Sequence, residues 1–190
     1  MHDHHRTGAA AHEPLTLAET KAHLRVETSA DDALITGLIR TVREHLERQT
    51  GLVLLTRTFR LYLDDWPQAR VIQIGRGPVQ TIEAVTVYEA DGMPFAVDAA
   101  GFVLDGQARP ARLILPRQPA AGQAINGIEI DFSAGFRMTG ADVPDTLKRA
   151  MLLHVALLYE FRGAVSPDSQ PAAVPAGYDR LIALFCRRGL

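Results

Sequence analysis

Two carboxylates stand two residues apart in a stretch that alternates apolar and polar side chains. Glu129 and Asp131 lie between Ile128, Ile130 and Phe132, and this period of two predicts a strand with one buried face. Both carboxylates then project from the same face, where such a pair serves as general acid and base or ligates a metal. The solvent-facing side of a half-buried strand shows the same pattern, and we favour that interpretation. A small β-domain hydrolase or ligand-binding protein that uses this pair is the alternative function.

The remaining candidates for chemistry have little support. The N-terminal residues 1–13 show no hydrophobic period, which predicts a disordered lead without a fold to hold a tetrahedral metal site. His154 lies in an apolar stretch, which favours an interior histidine or an interhelix or intersubunit hydrogen bond. Cys186 has no histidine nearby to activate it. The histidines of the lead are His2, His4, His5 and His12.

Phosphate-binding and nucleophile motifs are absent from the sequence. The segment Gly75-Arg76-Gly77 is followed by Pro78 and β-forming residues, so no helix opens behind it to receive a phosphate. Neither a P-loop, an H-E-x-x-H helix nor a G-x-S-x-G elbow occurs. We therefore predict a protein that is not an enzyme and has no metal or cofactor.

The composition is that of a globular protein with nearly balanced charge. The formal net charge is −2 and 47% of the residues are hydrophobic, so a basic surface that grips nucleic acid is not expected. A DNA-binding packaging or regulatory factor is disfavoured for this reason. No apolar run reaches the roughly 18 residues of a membrane span, and the single cysteine fits a reducing compartment. These features predict synthesis and assembly in the cytoplasm without membrane contact.

Helical patterns occupy both sides of a central β-rich region. The sequence Thr16-Leu17-Ala18-Glu19 is a capping box, and apolar residues at a spacing of three to four predict a long helix over 30–50 that ends at Gly51. A second apolar helix is predicted over 145–162, after Pro144. Six or seven short strands are expected over 54–136, with turn signals such as Asp91-Gly92. The predicted class is α+β: a helical core formed by 15–51 and 142–162, with an antiparallel β domain inserted between them.

Two segments carry candidate contacts with other proteins. The long helix mixes charges of both signs, which indicates a solvated or intersubunit face. With His154, the candidate subunit-interface residues are Arg40, Arg43, Glu44 and Glu47. Residues 163–177 are proline-rich and predict a linker. It leads to a short apolar helix with a basic end. We favour a C-terminal arm over 163–190, and the alternative is that the segment folds back on the helical core of its own chain. The candidate docking residues of this arm are Tyr178, Leu181, Ile182, Leu184, Phe185, Arg187 and Arg188.

The order of these segments resembles the head-to-tail connector (adaptor) proteins of lambda-like long-tailed phages and phage-like gene transfer agents. The matching pieces are LTLAETKAHLRVETSADDALITGLIRTVREHLERQTG at 15–51, LLTRTFRLYLDDWP at 54–67, IQIGRGPVQTIEAVTVYEADG at 72–92, IEIDFSAGF at 128–136 and DVPDTLKRAMLLHVALLYEFRGA at 142–164. Each piece alone is weakly specific, whereas their order is much more so. The His-rich lead is a departure from the family pattern.

The resemblance implies a structural role and a set of partners. Members of this family form a ring under the portal protein and carry no catalytic machinery. For this chain it implies a ring of 12 copies in the neck of the particle, docked to the portal through the C-terminal arm and to a tail-side stopper or tail terminator protein. The nearly balanced charge of the chain indicates in addition that DNA passes through the lumen of such a ring without being held.

Overall fold

Helix α1 begins, and helix α2 ends, at the residue that its capping signal indicates. In α1 (Leu17–Leu24) the Thr16 hydroxyl accepts a hydrogen bond from the Glu19 backbone N–H at 3.1 Å. Helix α2 spans Asp32–Thr50 and ends at Gly51, whose φ of 73° places it in the left-handed region that favours glycine. The predicted cap at Thr16 and the predicted end of the long helix at Gly51 are therefore confirmed.

Helices α2 and α3 (Asp145–Glu160) pack against each other through their apolar faces. The α3 residues Leu147, Ala150, Met151 and Val155 are all buried, as expected for a helix that is apolar on most sides. A 3₁₀ turn at Gly140–Asp142 leads to Pro144, after which α3 begins. The buried residues that α2 contributes to this core include Ile35, Ile39, Val42 and Leu46.

The computed structural model describes residues 4–6, 12–98, 100–137, 139–161 and 174–186, and it separates into two units. The helical unit comprises residues 11–55 and 137–190, and the β unit comprises 1–10 and 56–136. In the helical unit, Leu55 and Arg137 form an isolated parallel β-bridge. The chain therefore leaves this unit and returns to it at two residues that are neighbours in space. None of the helices among the described residues has the length and apolar character needed to cross a membrane.

The β unit contains two antiparallel sheets. A five-stranded sheet has the order β1-β2-β8-β4-β5, and a three-stranded sheet has the order β3-β7-β6. The α+β class predicted from the sequence is confirmed. The strands are β1 (His4–Arg6), β2 (Arg57–Leu63), β3 (Val71–Ile74), β4 (Val79–Tyr88), β5 (Pro94–Ala96), β6 (Val103–Asp105), β7 (Ala111–Ile114) and β8 (Ile128–Ala134).

Strands β2 and β8 follow the alternation that the sequence predicts. Along both strands every second residue is buried, and the Phe59 and Phe132 rings stack across the pair with centroids 5.6 Å apart. The intervening polar residues of β8, which include Glu129 and Asp131, are only partly exposed. The β2–β8 pair is thus built on buried side chains that alternate with partly exposed ones.

The N-terminal lead differs from the sequence prediction at three residues. His4–Arg6 form β1, which pairs antiparallel with β2 over His4–Leu61, His5–Arg60 and Arg6–Phe59. A disordered lead was predicted because no side-chain period is visible over 1–13. Backbone N–H and C=O groups at a sheet edge pair with an extended segment whatever its side chains are, so this strand has no signature in the sequence.

The C-terminal segment returns to the helical unit. Helix α4 (Tyr178–Ile182) packs on α3 and continues into a 3₁₀ turn at Ala183–Phe185. Of the predicted linker over 163–177, residues 163–173 lie outside the described residues. The docked helix itself differs from a free arm, because Tyr178 and Ile182 have essentially no exposed surface.

Candidate assembly surfaces

Arg43 lies at the centre of an ionic cluster inside the helical unit. Its Nε donates to Glu13 at 2.7 Å and its Nη1 to Glu47 at 3.1 Å, while Nη2 contacts Glu44 at 3.3 Å. Glu47 also accepts a hydrogen bond from the Leu54 backbone N–H at 3.0 Å. Burial alone lowers the pKa of Arg43, but the hydrogen bond to Glu13 and the surrounding carboxylates outweigh it, so that the pKa is raised. The cluster thereby holds α2 against the segments that precede and follow it.

This placement changes the set of residues available at a ring interface. The side chain of Arg43 is only 4% exposed and that of Glu47 only 8%, so both act within the protomer and do not face a neighbour as the sequence predicted. The reason is that the segment around Glu13, assigned to a disordered lead, packs on this part of α2. Arg40 and Glu44 remain on the surface, with side chains 62% and 47% exposed.

His154 is also interior. Its ring meets that of His45 edge-on at 5.0 Å and that of Tyr178 at 5.4 Å, and only 4% of the residue is exposed. Its predicted role in an intersubunit contact therefore differs from what the structure shows, whereas the predicted interior histidine is what the structure contains. The three rings join α2, α3 and α4 in one buried polar–aromatic cluster.

The candidate docking residues of the C-terminal arm divide into a buried root and an exposed tip. Tyr178 and Ile182 form the root, and burial raises the pKa of Tyr178 to about 12. Leu181 and Phe185 are half-buried, whereas Leu184 is 85% exposed, the largest value among the large apolar residues of the described chain. Arg187 and Arg188 lie outside the described residues.

The carboxylate pair of β8 is engaged by a neighbouring arginine. Arg60 on β2 donates to both oxygens of Asp131, at 2.7 and 2.8 Å, and approaches Glu129 at 3.1 Å. The hydrogen bond to Asp131 is the main reason that the pKa of Arg60 is raised. Tyr88 on β4 has a raised pKa because of burial and a hydrogen bond to Glu129. Both carboxylates contact the same guanidinium, so this arrangement is a cross-strand ion pair.

Sequence reasoning missed three partners at these sites: Glu13, His45 and Arg60. Glu13 lies in a stretch without any periodic signal, and His45 looks like one more polar residue on a helix of mixed charge. Arg60 is 71 residues from Asp131, and only the register of β2 on β8 brings the two together. No group of three or more histidine, cysteine, aspartate or glutamate residues suited to a metal ion occurs in the described part of the chain.

Comparisons with known proteins give the geometry its context. The family described as "Phage gp6-like head-tail connector protein" matches residues 14–93. A chain from the "Neck of native GTA particle computed with C12 symmetry" is similar at 30% identity and a TM-score of 0.79, covering 99% of this chain and 97% of that one. A chain from the "Neck of empty GTA particle computed with C6 symmetry" gives 29% identity and a TM-score of 0.82 with the same coverage. A third chain, from the "Virion of native gene transfer agent (GTA) particle", gives 29% identity and a TM-score of 0.79, covering 98% of this chain and 97% of that one. No curated protein matches.

The fold and these similarities define the class: a structural connector protein, not an enzyme. The alternative function, a hydrolase or ligand-binding protein built on Glu129 and Asp131, is overturned by this finding and by the engagement of both carboxylates with Arg60. The chain belongs to the family of phage head-tail connector proteins.

Proposed function

We propose that 12 copies of this chain form a ring in the neck of a phage or phage-like particle, beneath the portal protein. The observation that carries the proposal is the similarity over 99% of the chain to a subunit of a neck computed with C12 symmetry. The neck computed with C6 symmetry supports it as well, because a twelvefold ring contains sixfold symmetry. Assembly takes place in the cytoplasm, before the ring joins the particle.

The lumen of the proposed ring is a passage for DNA. A formal net charge of −2 per chain gives no excess of cations to neutralise phosphates. Several arginines, among them Arg43 and Arg60, form ion pairs with carboxylates of their own protomer. DNA therefore moves past the wall without being retained by it.

The C-terminal segment attaches the ring to the portal, and the opposite side of the ring meets a tail-side stopper or tail terminator protein. Leu184 supports this assignment, because an apolar side chain that is 85% exposed at the end of a docked helix is unfavourable in water. The buried root at Tyr178 and Ile182 fixes where the arm starts. Portal contacts then fall on Leu184, on the half-buried Leu181 and Phe185, and on the basic end formed by Arg187 and Arg188.

The exposed part of the mixed-charge face on α2 supplies a polar contact between neighbouring copies. Arg40 and Glu44 are the residues of the predicted set that remain on the surface. A rim contact of this kind adjusts assembly rate and salt dependence more than affinity.

Electron microscopy of the purified protein, alone and mixed with its portal protein, tests the proposal. We expect closed rings with twelvefold symmetry that sit on the portal. Leu184→Asp should form rings that no longer bind the portal, whereas Ile125→Asp should bind it normally, because Ile125 is similarly exposed, at 73%, but lies in the β unit. A protein that stays monomeric with the portal present would contradict the ring, and portal binding by Leu184→Asp would contradict the role of the arm.

A further inference from the structure

An apolar row crosses the outer face of the three-stranded sheet. Val71 on β3 pairs with Ile114 on β7, and Ile114 pairs with Val103 on β6, so the three side chains lie side by side on one face. Val103 is 61% exposed and Ile114 is 42% exposed. Their sequence neighbours Ile72 and Leu113 point to the other face and are buried. The sheet thus has apolar residues on both faces, of which only one is covered within the protomer.

The row continues into an open groove within the β unit. Two residues beyond Ile114, Pro116 lies against Gly101, which has a φ of 85° and where an added Cβ would stand 3.3 Å from the proline ring. The groove next to this contact has a volume of about 840 Å³ and includes Phe95 and Val97 in its wall. Phe95 is 51% exposed. We call the surface formed by Val71, Phe95, Val103, Ile114 and Pro116 the apolar strip.

The margin of the apolar strip is basic. Arg70 and Arg117 both line the groove, and both residues are exposed. Neither takes part in an ion pair within the described part of the chain. Asp98 is the acidic residue of the groove wall. An apolar centre with a charged margin is the usual composition of a protein–protein contact surface.

A second exposed apolar surface lies on the helical unit. The Tyr159 hydroxyl donates to Asp31, which brings the end of α3 next to the start of α2. At this helix-pair end Leu34 is 39% exposed and Phe161 is 41% exposed. Its margin is acidic: Glu160 is exposed and has no ion pair within the described chain, and Asp31, the acceptor of the Tyr159 hydrogen bond, immediately precedes α2.

We propose that the apolar strip of one copy packs against the helix-pair end of the next copy around the ring. A closed ring requires a heterologous contact, in which each copy contributes two different surfaces. The chain carries two such surfaces, one in each unit, with apolar centres and margins of opposite charge. Arg70 and Arg117 of one copy then face Glu160 of its neighbour. This inference rests on the proposed ring and names the contact that closes it.

A charge exchange tests the contact. Arg117→Glu and Glu160→Arg each place like charges across the proposed interface, and each should raise the protein concentration needed for half-maximal ring formation on the order of tenfold, which corresponds to about 1.4 kcal/mol. The double variant restores opposite charges and should recover most of the loss. Arg149→Glu, an exposed charge reversal near the other end of α3, is the matched control and should assemble like the wild type. Mass photometry across a concentration series measures all four.

Cysteine cross-linking gives an independent readout. The chain has one cysteine, so Cys186→Ser provides a background in which Val103→Cys and Leu34→Cys are combined. The proposal predicts a ladder of disulfide-linked oligomers under oxidation, and neither cysteine alone should produce one.

The outcomes separate this contact from the ring itself. A wild type that forms no rings overturns the proposed function and the contact with it. Rings that form normally in both single charge variants, without the cross-linked ladder, overturn the contact and leave the ring intact. If Ile114→Asp forms normal rings but no longer binds the portal or the tail-side protein, the apolar strip belongs to that other partner and the contact proposed here is wrong.

Discussion

The helical unit and the β unit each hold an arginine among carboxylates, and the two differ in how much water reaches the charges. In the helical unit the Arg43 side chain is 4% exposed and has three glutamates around it. In the β unit the Arg60 side chain is 34% exposed and joins Glu129 and Asp131 across β2 and β8. Water screens the second cluster and not the first. The same residue types are therefore enclosed in the core of one unit and partly hydrated at the surface of the other.

Removing the buried arginine should have the largest effect. Arg43→Met keeps the bulk of the side chain but leaves Glu47 buried without a cation, and we expect a loss of about 3–5 kcal/mol in the free energy of unfolding. Urea denaturation at neutral pH measures it. Arg43→Lys keeps the charge but loses the forked geometry of the guanidinium. Its free energy of unfolding should lie between those of the wild type and Arg43→Met. A loss of less than about 1 kcal/mol for Arg43→Met would show that the cluster does not hold the helical unit together.

Raising the pH should weaken the C-terminal docking, with an effect of intermediate size. The pKa of Tyr178 rises from 10.0 to about 12 on folding, because burial disfavours the phenolate. Below pH 10 the phenol is neutral in both states and its contribution to stability is complete. Between pH 10 and about 12 only the unfolded chain ionises, so stability falls by up to about 2 kcal/mol.

The matched variants for this experiment are Tyr178→Phe and Tyr88→Phe. Circular dichroism with absorbance at 295 nm, followed from pH 9 to pH 12, should show a smaller alkaline loss for Tyr178→Phe than for the wild type. Tyr88→Phe should remove less of the loss than Tyr178→Phe does, because the pKa of Tyr88 is also raised, by burial and by Glu129, but Tyr88 is only half-buried. Equal alkaline loss in Tyr178→Phe and in the wild type would contradict the burial argument.

Removing the partly exposed Arg60 should have the smallest effect on the free energy of unfolding. Arg60→Met removes a pair that is partly screened by water, so we expect a loss of about 1 kcal/mol. Added salt should reduce this loss, because salt screens the ion pair in the wild type and leaves less stabilisation for the substitution to remove. The loss for Arg43→Met should hardly change, because water and salt do not reach the buried cluster. Thermal unfolding at low and high salt makes the comparison. A loss for Arg60→Met as large as that for Arg43→Met would remove the distinction between the two units.

Most of the fold could be predicted from local sequence signals. The contacts that could not be predicted join residues far apart in the sequence. The cap at Thr16, the end of α2 at Gly51 and the alternation in β8 depend on neighbouring residues, and the sequence displays them directly. The pairing of Arg60 with Asp131 depends on strand register, which no local pattern specifies. The enclosure of Arg43 depends on Glu13, 30 positions away in a segment without a period.

The candidate site was less predictable than the fold for the same reason. The sequence predicts one mixed-charge face of α2 that contains Arg40, Arg43, Glu44 and Glu47. In the structure Arg40 and Glu44 are exposed, whereas Arg43 and Glu47 are buried by the segments that pack on the helix. The return of Tyr178 onto α3 likewise depends on its contacts with His45 of α2 and His154 of α3, which the C-terminal sequence does not reveal.

The bridge between Leu55 and Arg137 has an evolutionary consequence. Because the two ends of the segment 56–136 meet at adjacent residues, the gap that its deletion would leave is closed by a short peptide with little entropic cost. A gene that gains, loses or exchanges this segment therefore keeps a continuous path for the remaining chain. Exchange of this segment can thus replace the β strands between residues 56 and 136 without altering the path of the helical unit.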